Sequence, residues 1–289
     1  MSYLSDEKIL ELEKKANDIR VSIIEMLVEA GSGHTAGPLG MADIFTLFYF
    51  HILRHDPKNP SWQERDRLVL SNGHICPVLY ATMAHAGYFP LEELKTLRKF
   101  GTRLQGHPHR EYMPWLETSS GPLGLGLSQA VGMALADKMD GKLAPSSGGD
   151  KNRFIYCFIS DGEQDEGNTW EAVMLAGKNK LKNLIVVMDR NNIQIDGFTE
   201  DTMPLEPLHA KWKSFNWQVI EVSGHDFRSL NEVIEEAQAA SLGPTVIIAH
   251  TIPGKGVREF ERDYRWHGKV PNKEQAENAI KELKAHRPI

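Results

Sequence analysis

The stretch from Phe154 to Gly197, FIYCFISDGEQDEGNTWEAVMLAGKNKLKNLIVVMDRNNIQIDG, constrains this chain more than any other. An apolar run ends in Ser160-Asp161-Gly162, a helical segment follows, and a second apolar run, Leu184 to Met188, leads to Asn191-Asn192. Strand, crossover helix and strand in that order predict two neighbouring parallel strands. Asp161 and Asn191 then stand just past their carboxyl ends, the edge of an open α/β sheet where ligands bind. Asp161 offers a hard carboxylate oxygen, Asn191 an amide oxygen, and the backbone near Ile193 a carbonyl. Magnesium or calcium accepts such all-oxygen shells and completes them with water and phosphate oxygens. The pattern predicts a divalent cation carrying a diphosphate.

The rest of the chain supplies the sheet and its covering layers. Ser5 followed by Asp6 and Glu7 signals a helix start, and Ile9, Leu12, Ala16, Ile19, Ile23 and Leu27 recur at helical steps up to Gly31. A second, largely buried helix is predicted over Met41 to Leu53. Arg67 to Ser71 reads as a short strand turned by Asn72-Gly73-His74 into a helix, Ile75 to Ala86. Further helices are expected over Leu91 to Phe100, Leu127 to Ala136, Pro207 to Phe215, Asp226 to Ala240 and Lys273 to Ala285, with strands over Gln218 to Val222 and Thr245 to Ala249. Leu143 to Asn152, rich in Ser and Gly, reads as a surface excursion. The alternation predicts an α/β fold: a central, mostly parallel sheet with helices on both faces. Its 289 residues suffice for one large domain, 1–289, with an N-terminal helical segment.

Charge and cysteine usage exclude several functions. There are 33 basic and 39 acidic residues, mixed along the chain, for a net charge of -6, which argues against nucleic acid as main partner. Cys76 and Cys157 have no zinc-like spacing, and Cys157 within an apolar run reads as a reduced core thiol. The charged amphipathic N-terminus lacks a signal-peptide apolar block, and no run approaches membrane-spanning length, so a soluble cytoplasmic protein is expected.

Several glycine-rich turns carry histidines. Gly31 to Gly40, GSGHTAGPLG, permits tight backbone and close ligand approach, and His34 within it is either an exposed loop residue or a site residue. His74 opens a helix, where nitrogen donors meet phosphates, or else merely belongs to a capping turn. The aperiodic stretch GTRLQGHPHREYMPW contains Gly106-His107-Pro108, with His109 read as surface; such long loops tend to be functional or disordered. Glu117 to Gly126, ETSSGPLGLG, leads into a helix. No clear strand precedes it and no suitably spaced acid follows, which disfavours a Rossmann dinucleotide site. Lys255 lies between glycines in Thr251 to Lys269, TIPGKGVREFERDYRWHGK, and by itself is no more than a turn lysine.

Together these segments resemble the thiamine diphosphate (ThDP) enzymes, and transketolase in particular. The ThDP fingerprint is Gly-Asp-Gly followed some distance on by Asn-Asn; here 28 residues separate Gly162 from Asn191, and Ser160 replaces the first glycine. DGEQDEG, WEA, LAG, LIVVMDRNN and QIDG carry the likeness further. SGHTAGPLG is similar to the family's SGHPGAPLG loop, SNGH to its LSxGH segment, and GHP and GPLG to their counterparts; WHG stands where the family has VHG. The resemblance runs from the first helix to WHG and is to the N-terminal, diphosphate-binding section alone.

That resemblance implies roles. Asp161, Asn191 and the Ile193 carbonyl would ligate magnesium (or calcium), His74 and His267 would approach the diphosphate, and Gly124 would give the cofactor a backbone contact. His34 and His107 would hydrogen-bond substrate hydroxyls and assist proton movement. Glu166 would sit at a subunit interface coupled to a cofactor-activating glutamate, unless it is only a helix-start acid. No segment resembles the family's pyrimidine-binding or C-terminal domain. The expectation is therefore a split, ThDP- and Mg-dependent transketolase of the pentose phosphate pathway. This chain would act with a C-terminal partner subunit, two copies of each forming a heterotetramer, and sugar phosphates as substrates. Alternatives are a related carbon-carbon ligase, such as a deoxyxylulose phosphate synthase-like enzyme or one for an unusual sugar, and a non-catalytic cofactor-binding subunit.

Overall fold

In the computed structural model, which describes residues 4–141 and 153–288, the N-terminal helix forms as its pattern demands. Helix α1 spans Asp6–Ala30; the Ser5 hydroxyl caps it by accepting the Lys8 N–H at 3.2 Å. Gly31 ends it in the left-handed region, φ 64°, with its N–H returned to Leu27 and Val28 carbonyls. The predicted stripe of Leu12, Ala16, Ile19, Ile23 and Leu27 is buried.

Helix α2, Ala36–Leu47, starts five residues earlier than the sequence suggested and passes into a π-helical turn at Phe48–Ile52. The glycines read as loop residues are helical here because another chain segment presses on them. A Cβ at Gly40 would lie 2.9 Å from the Ile252 carbonyl oxygen, and one at Gly37 2.9 Å from the Ile75 side chain. Pro38 falls in the first turn, where its missing N–H costs nothing.

The remaining elements follow in order: β1 (Arg67–Leu70), α3 (Cys76–His85), α4 (Leu125–Met139), β2 (Ile155–Ser160), α5 (Gly167–Asn179), β3 (Leu184–Arg190), β4 (Ile193–Gln194), β5 (Gly197–Phe198), α6 (Thr199–Thr202), α7 (Leu208–Ser214), β6 (Gln218–Ser223), α8 (Phe227–Ala239), β7 (Thr245–His250) and α9 (Lys273–Ala285). The expected helix over Leu91 to Phe100 is only a 3-10 segment, Leu91–Thr96. The Thr96 hydroxyl turns back to the Glu93 carbonyl, and Arg98 adopts φ 60°, which no helix continues. The excursion expected at Leu143 to Asn152 falls on residues 142–152, outside the described ones.

Strands β1, β2, β3, β7 and β6 form, in that order, one wholly parallel five-stranded sheet. Period-two alternation divides its side chains between two cores. Tyr156, Phe158, Ile185, Val187 and Ile247 face α1, α2, α3 and α8. Ile155, Cys157, Leu184, Val186 and Val246 share the other core with buried residues of α4, α5 and α7. Both faces are thus covered, as expected. On the first, Phe45 and Phe48 meet Phe158 edge-to-face at 5.0 and 4.8 Å; burying each such ring stabilises the fold by about 1.5–3 kcal/mol. Cys76 and Cys157 are free and buried, as core thiols. Among the described residues no helix is long and apolar enough to cross a membrane.

Candidate functional site

The carboxyl ends of β1, β2, β3 and β7 open onto one edge, and most of the predicted residues gather there. Asp161 directly follows β2 and is 1% exposed. Its Oδ1 accepts the Gly162 N–H at 2.8 Å; its Oδ2 accepts the Asn192 N–H at 2.8 Å and an Arg190 N–H at 3.2 Å. Burial raises its pKa to about 6, against the pull of Arg190. Asp189, near the end of β3, accepts hydrogen bonds from the Asn191 amide at 2.8 Å and from the Thr251 hydroxyl. Burial, with the neighbouring Asp161 charge adding to it, lifts Asp189 to about 7. Asn191 is 6% exposed, and its Oδ1 accepts the Ile193 N–H at 3.0 Å, while Asn192 adopts φ 63° to make the turn. A tight turn therefore presents Asp161, Asn191 and the Ile193 peptide together.

The turn after β1 and two distant loops add a cluster of imidazoles. His34 and His74 have ring centroids 5.0 Å apart, His34 and His267 5.6 Å, and His74 and His267 5.3 Å. Thr35 holds the first loop against the last by donating its hydroxyl to the Lys269 carbonyl at 2.6 Å. Burial pushes His34 down to about 4, with His267, Arg98 and His107 adding to the effect. His74 lies well below its ordinary value and His267 is lowered, in both cases chiefly by burial. Three neutral imidazoles thus face one another at neutral pH, able to donate and accept hydrogen bonds without a net charge.

His107 lies at the exposed mouth, lowered by desolvation and by Arg98. The Arg98 side chain lies beside Gly106, and Arg98 has no ion pair among the described residues. His109, expected at the surface, is half-buried against Tyr112, ring centroids 5.2 Å apart, because the loop folds back on itself.

Glu166, Gly124 and Lys255 stand outside the histidine cluster. Glu166 is exposed at the N-cap of α5, a position open both to a subunit interface and to a helix-start acid. Gly124 adopts φ 79° before α4 and donates its N–H to Glu163 at 2.7 Å. Lys255 lines a separate cavity with Arg20, Asp43 and Glu261. The sequence reading missed Asn72, Glu163, Asp189, Arg190 and Thr251. The Glu in DGEQDEG is one acid among four and carries no mark of burial, and Arg190 and Asp189 read simply as the end of a strand.

The residues present fit a metal-bound diphosphate. Among the described residues no three His, Cys, Asp or Glu side chains make a metal-binding group. A cation here would therefore draw on carboxylate, amide, carbonyl and ligand oxygens, the set preferred by magnesium or calcium. Asp161 and Asp189 are buried together with one cation, Arg190, between them and neutrality. The Asn72 side chain is 0% exposed with both amide atoms unpartnered, and the His34 Nδ1 is likewise buried and unpartnered. Orphaned donors and acceptors of this kind mark a place built for a polar ligand.

Comparison with known proteins accords with this site. The family model described as "Transketolase, thiamine diphosphate binding domain" matches residues 12–287. The chain is 41% identical to the 6-deoxy-6-sulfo-D-fructose transketolase subunit SqwG of Clostridium sp. (strain MSTE9), covering 96% of this chain and 98% of that protein. It is 38% identical to an apulose-4-phosphate transketolase subunit from Phocaeicola vulgatus, covering 95% and 93%. Transketolase from Leishmania mexicana superposes with a TM-score of 0.89 at 34% identity, and this chain, 94% covered, spans 41% of that one.

Proposed function

The chain belongs to the transketolase family, as its thiamine diphosphate-binding domain, and from that premise we propose that it is one subunit of a two-component transketolase. Its reaction is transfer of a two-carbon ketol unit from a ketose phosphate to an aldose phosphate. The observation that carries this reading is that the Asp161–Asn191 turn and the His74 turn follow neighbouring parallel strands at one edge of the sheet, and that His74 there clusters with His34 and His267.

ThDP, when bound, supplies a nucleophilic thiazolium carbon that stores the electrons of carbon-carbon cleavage. This chain's own groups hold and orient. Asp161, Asn191 and the Ile193 carbonyl would bind Mg2+ (or Ca2+) and through it the diphosphate. His74 and His267 would donate to diphosphate oxygens. His34, whose lowered pKa keeps it neutral, would accept or donate a proton at a substrate hydroxyl, and His107 at the mouth would do the same for a more distal one. Arg98, without an ion pair among the described residues, would meet the anionic end of a sugar phosphate.

A separate C-terminal subunit would contribute the pyrimidine-binding domain, with Glu166 near the contact and two copies of each chain in the assembly. In support, relatives that match this chain over nearly their whole length are themselves named as transketolase subunits. The same names, which specify apulose-4-phosphate and 6-deoxy-6-sulfo-D-fructose, favour a second reading in which the donor sugar is unusual.

The test is a ketol-transfer assay with xylulose 5-phosphate, ribose 5-phosphate, Mg2+ and ThDP, using the chain alone and then with its candidate partner. Activity in the mixture only, abolished by Asp161→Ala, supports the two-component enzyme. Activity of the chain alone overturns it. Cofactor binding without turnover moves the choice to the unusual sugar.

A further inference from the structure

Glu163 is 0% exposed and has no cationic partner among the described residues. Its carboxylate instead collects donors from three separate segments. Oε1 accepts the Gly124 N–H at 2.7 Å and the Ser71 hydroxyl; Oε2 accepts the Ser160 N–H at 2.8 Å and the Ser160 hydroxyl at 3.4 Å. The Ser71 oxygen in turn accepts the Gly126 N–H at 3.1 Å. A Cβ at Gly126 would lie 2.5 Å from that of Ser71, so the two segments already touch through backbone.

Every donor adjoins a part of the candidate site. Ser71 precedes Asn72-Gly73-His74, Gly124 sits in the loop that opens α4, and Ser160 precedes Asp161. Burying a carboxylate without a countercharge is costly, and an apolar residue would serve stability at least as well. What the carboxylate adds is geometry, since two oxygens fix three segments with directional bonds.

We infer that Glu163 is a positioning residue that sets the Gly121–Gly126 loop and the His74 turn in place against Asp161. This rests on the diphosphate-site reading proposed above. Glu163→Gln keeps the volume but turns an NH2 group toward N–H or O–H donors, so at least one tie is replaced by opposed donors.

The chain, with and without its candidate partner subunit, is titrated calorimetrically with ThDP at fixed Mg2+, and amide hydrogen exchange is followed in parallel. The expected result is at least a tenfold loss of ThDP affinity in Glu163→Gln, with faster exchange at Gly124 and Ser160. Ser71→Ala, which removes one tie, should fall between it and the wild type. Leu230→Ala, in the remote core of α8, serves as a control for lost stability alone and should leave exchange at those two amides in step with the rest of the chain. Glu163→Gln binding ThDP as tightly as wild type overturns the positioning role while leaving the site reading intact. Wild-type protein that binds no ThDP in either setting overturns the site reading itself, and this inference with it.

Discussion

The imidazoles of His34 and His74 meet with ring centroids 5.0 Å apart and planes tilted by 52°, one from the loop before α2 and the other from the turn after β1. Neither ring has a carboxylate partner among the described residues, so burial governs both: His34 falls to about 4 and His74 lies well below its ordinary value. In the unfolded chain each takes a proton near the ordinary pKa of about 6.5. Below that pH the unfolded state binds more protons than the folded one, and stability falls with pH until the folded pKa of His34, near 4, is passed. Thermal midpoints should therefore decline from about pH 6.5 toward pH 4, and His34→Gln should make the decline shallower. An equally steep acid limb in that variant would assign it to other groups.

Asp161 and Asp189, each 1% exposed, are like charges in one buried place, and the first raises the pKa of the second. Asp161→Asn removes that repulsion, and Arg190 keeps Glu200 at 2.7 Å and Glu206 at 3.1 Å. The amide NH2 then faces the N–H of Gly162 or of Asn192, so without metal the variant should melt below the wild type despite the lost repulsion. Wild type should gain stability from Mg2+ with pyrophosphate by mass action, about 2.7 kcal/mol at a hundredfold excess over Kd. Asp161→Asn should not gain it. A thermal shift of the same size in both proteins would remove Asp161 from the ligand set.

The sheet and its long helices were legible from the way they are buried: Ile155–Ser160, covered on both faces, reads as one apolar run, and the three- and four-residue steps in Asp6–Ala30 follow from one helix face meeting a core. The start of α2 was not, since Gly37 and Gly40 look like loop residues until Ile75 and Ile252 are seen pressing on them. Spacing alone could not bring His34, His74 and His267 together, because they stand on three loops far apart in the chain; only the resemblance of their flanking motifs pointed to one site. Glu163 stayed hidden for a related reason. Burial of an acid depends on donors from other segments, and local sequence does not record them.

Two helical glycines should respond to alanine with opposite signs. A methyl at Gly177 would stand 1.9 Å from the Phe215 carbonyl oxygen, which forces α5 away from the turn before β6. Gly177→Ala should cost about 1–3 kcal/mol or more through overpacking. Gly132 on α4 has nothing within 4 Å of such a methyl, so Gly132→Ala should gain about 0.5–1 kcal/mol from helix propensity. Urea unfolding of the isolated chain separates the two, and equal effects would mean that α5 does not pack as described.

Arg98 holds φ 60°, a conformation costly to a residue with a side chain, and its charge lowers the pKa of both His34 and His107. A guanidinium kept in such a backbone and without an ion pair among the described residues is poorly explained by stability. Arg98→Gly relieves the backbone, offsetting its greater unfolded-state freedom, so the thermal midpoint should change by no more than a few degrees. If Arg98 meets the anionic end of the sugar, the same change should raise KM for a phosphorylated substrate tenfold or more, the loss of a charge-assisted contact worth about 1.5–3 kcal/mol. KM for an unphosphorylated ketose should move little, as should ThDP affinity. Measured on the assembled enzyme, equal losses on charged and uncharged substrates would show that Arg98 serves the loop around Gly106 and not the substrate.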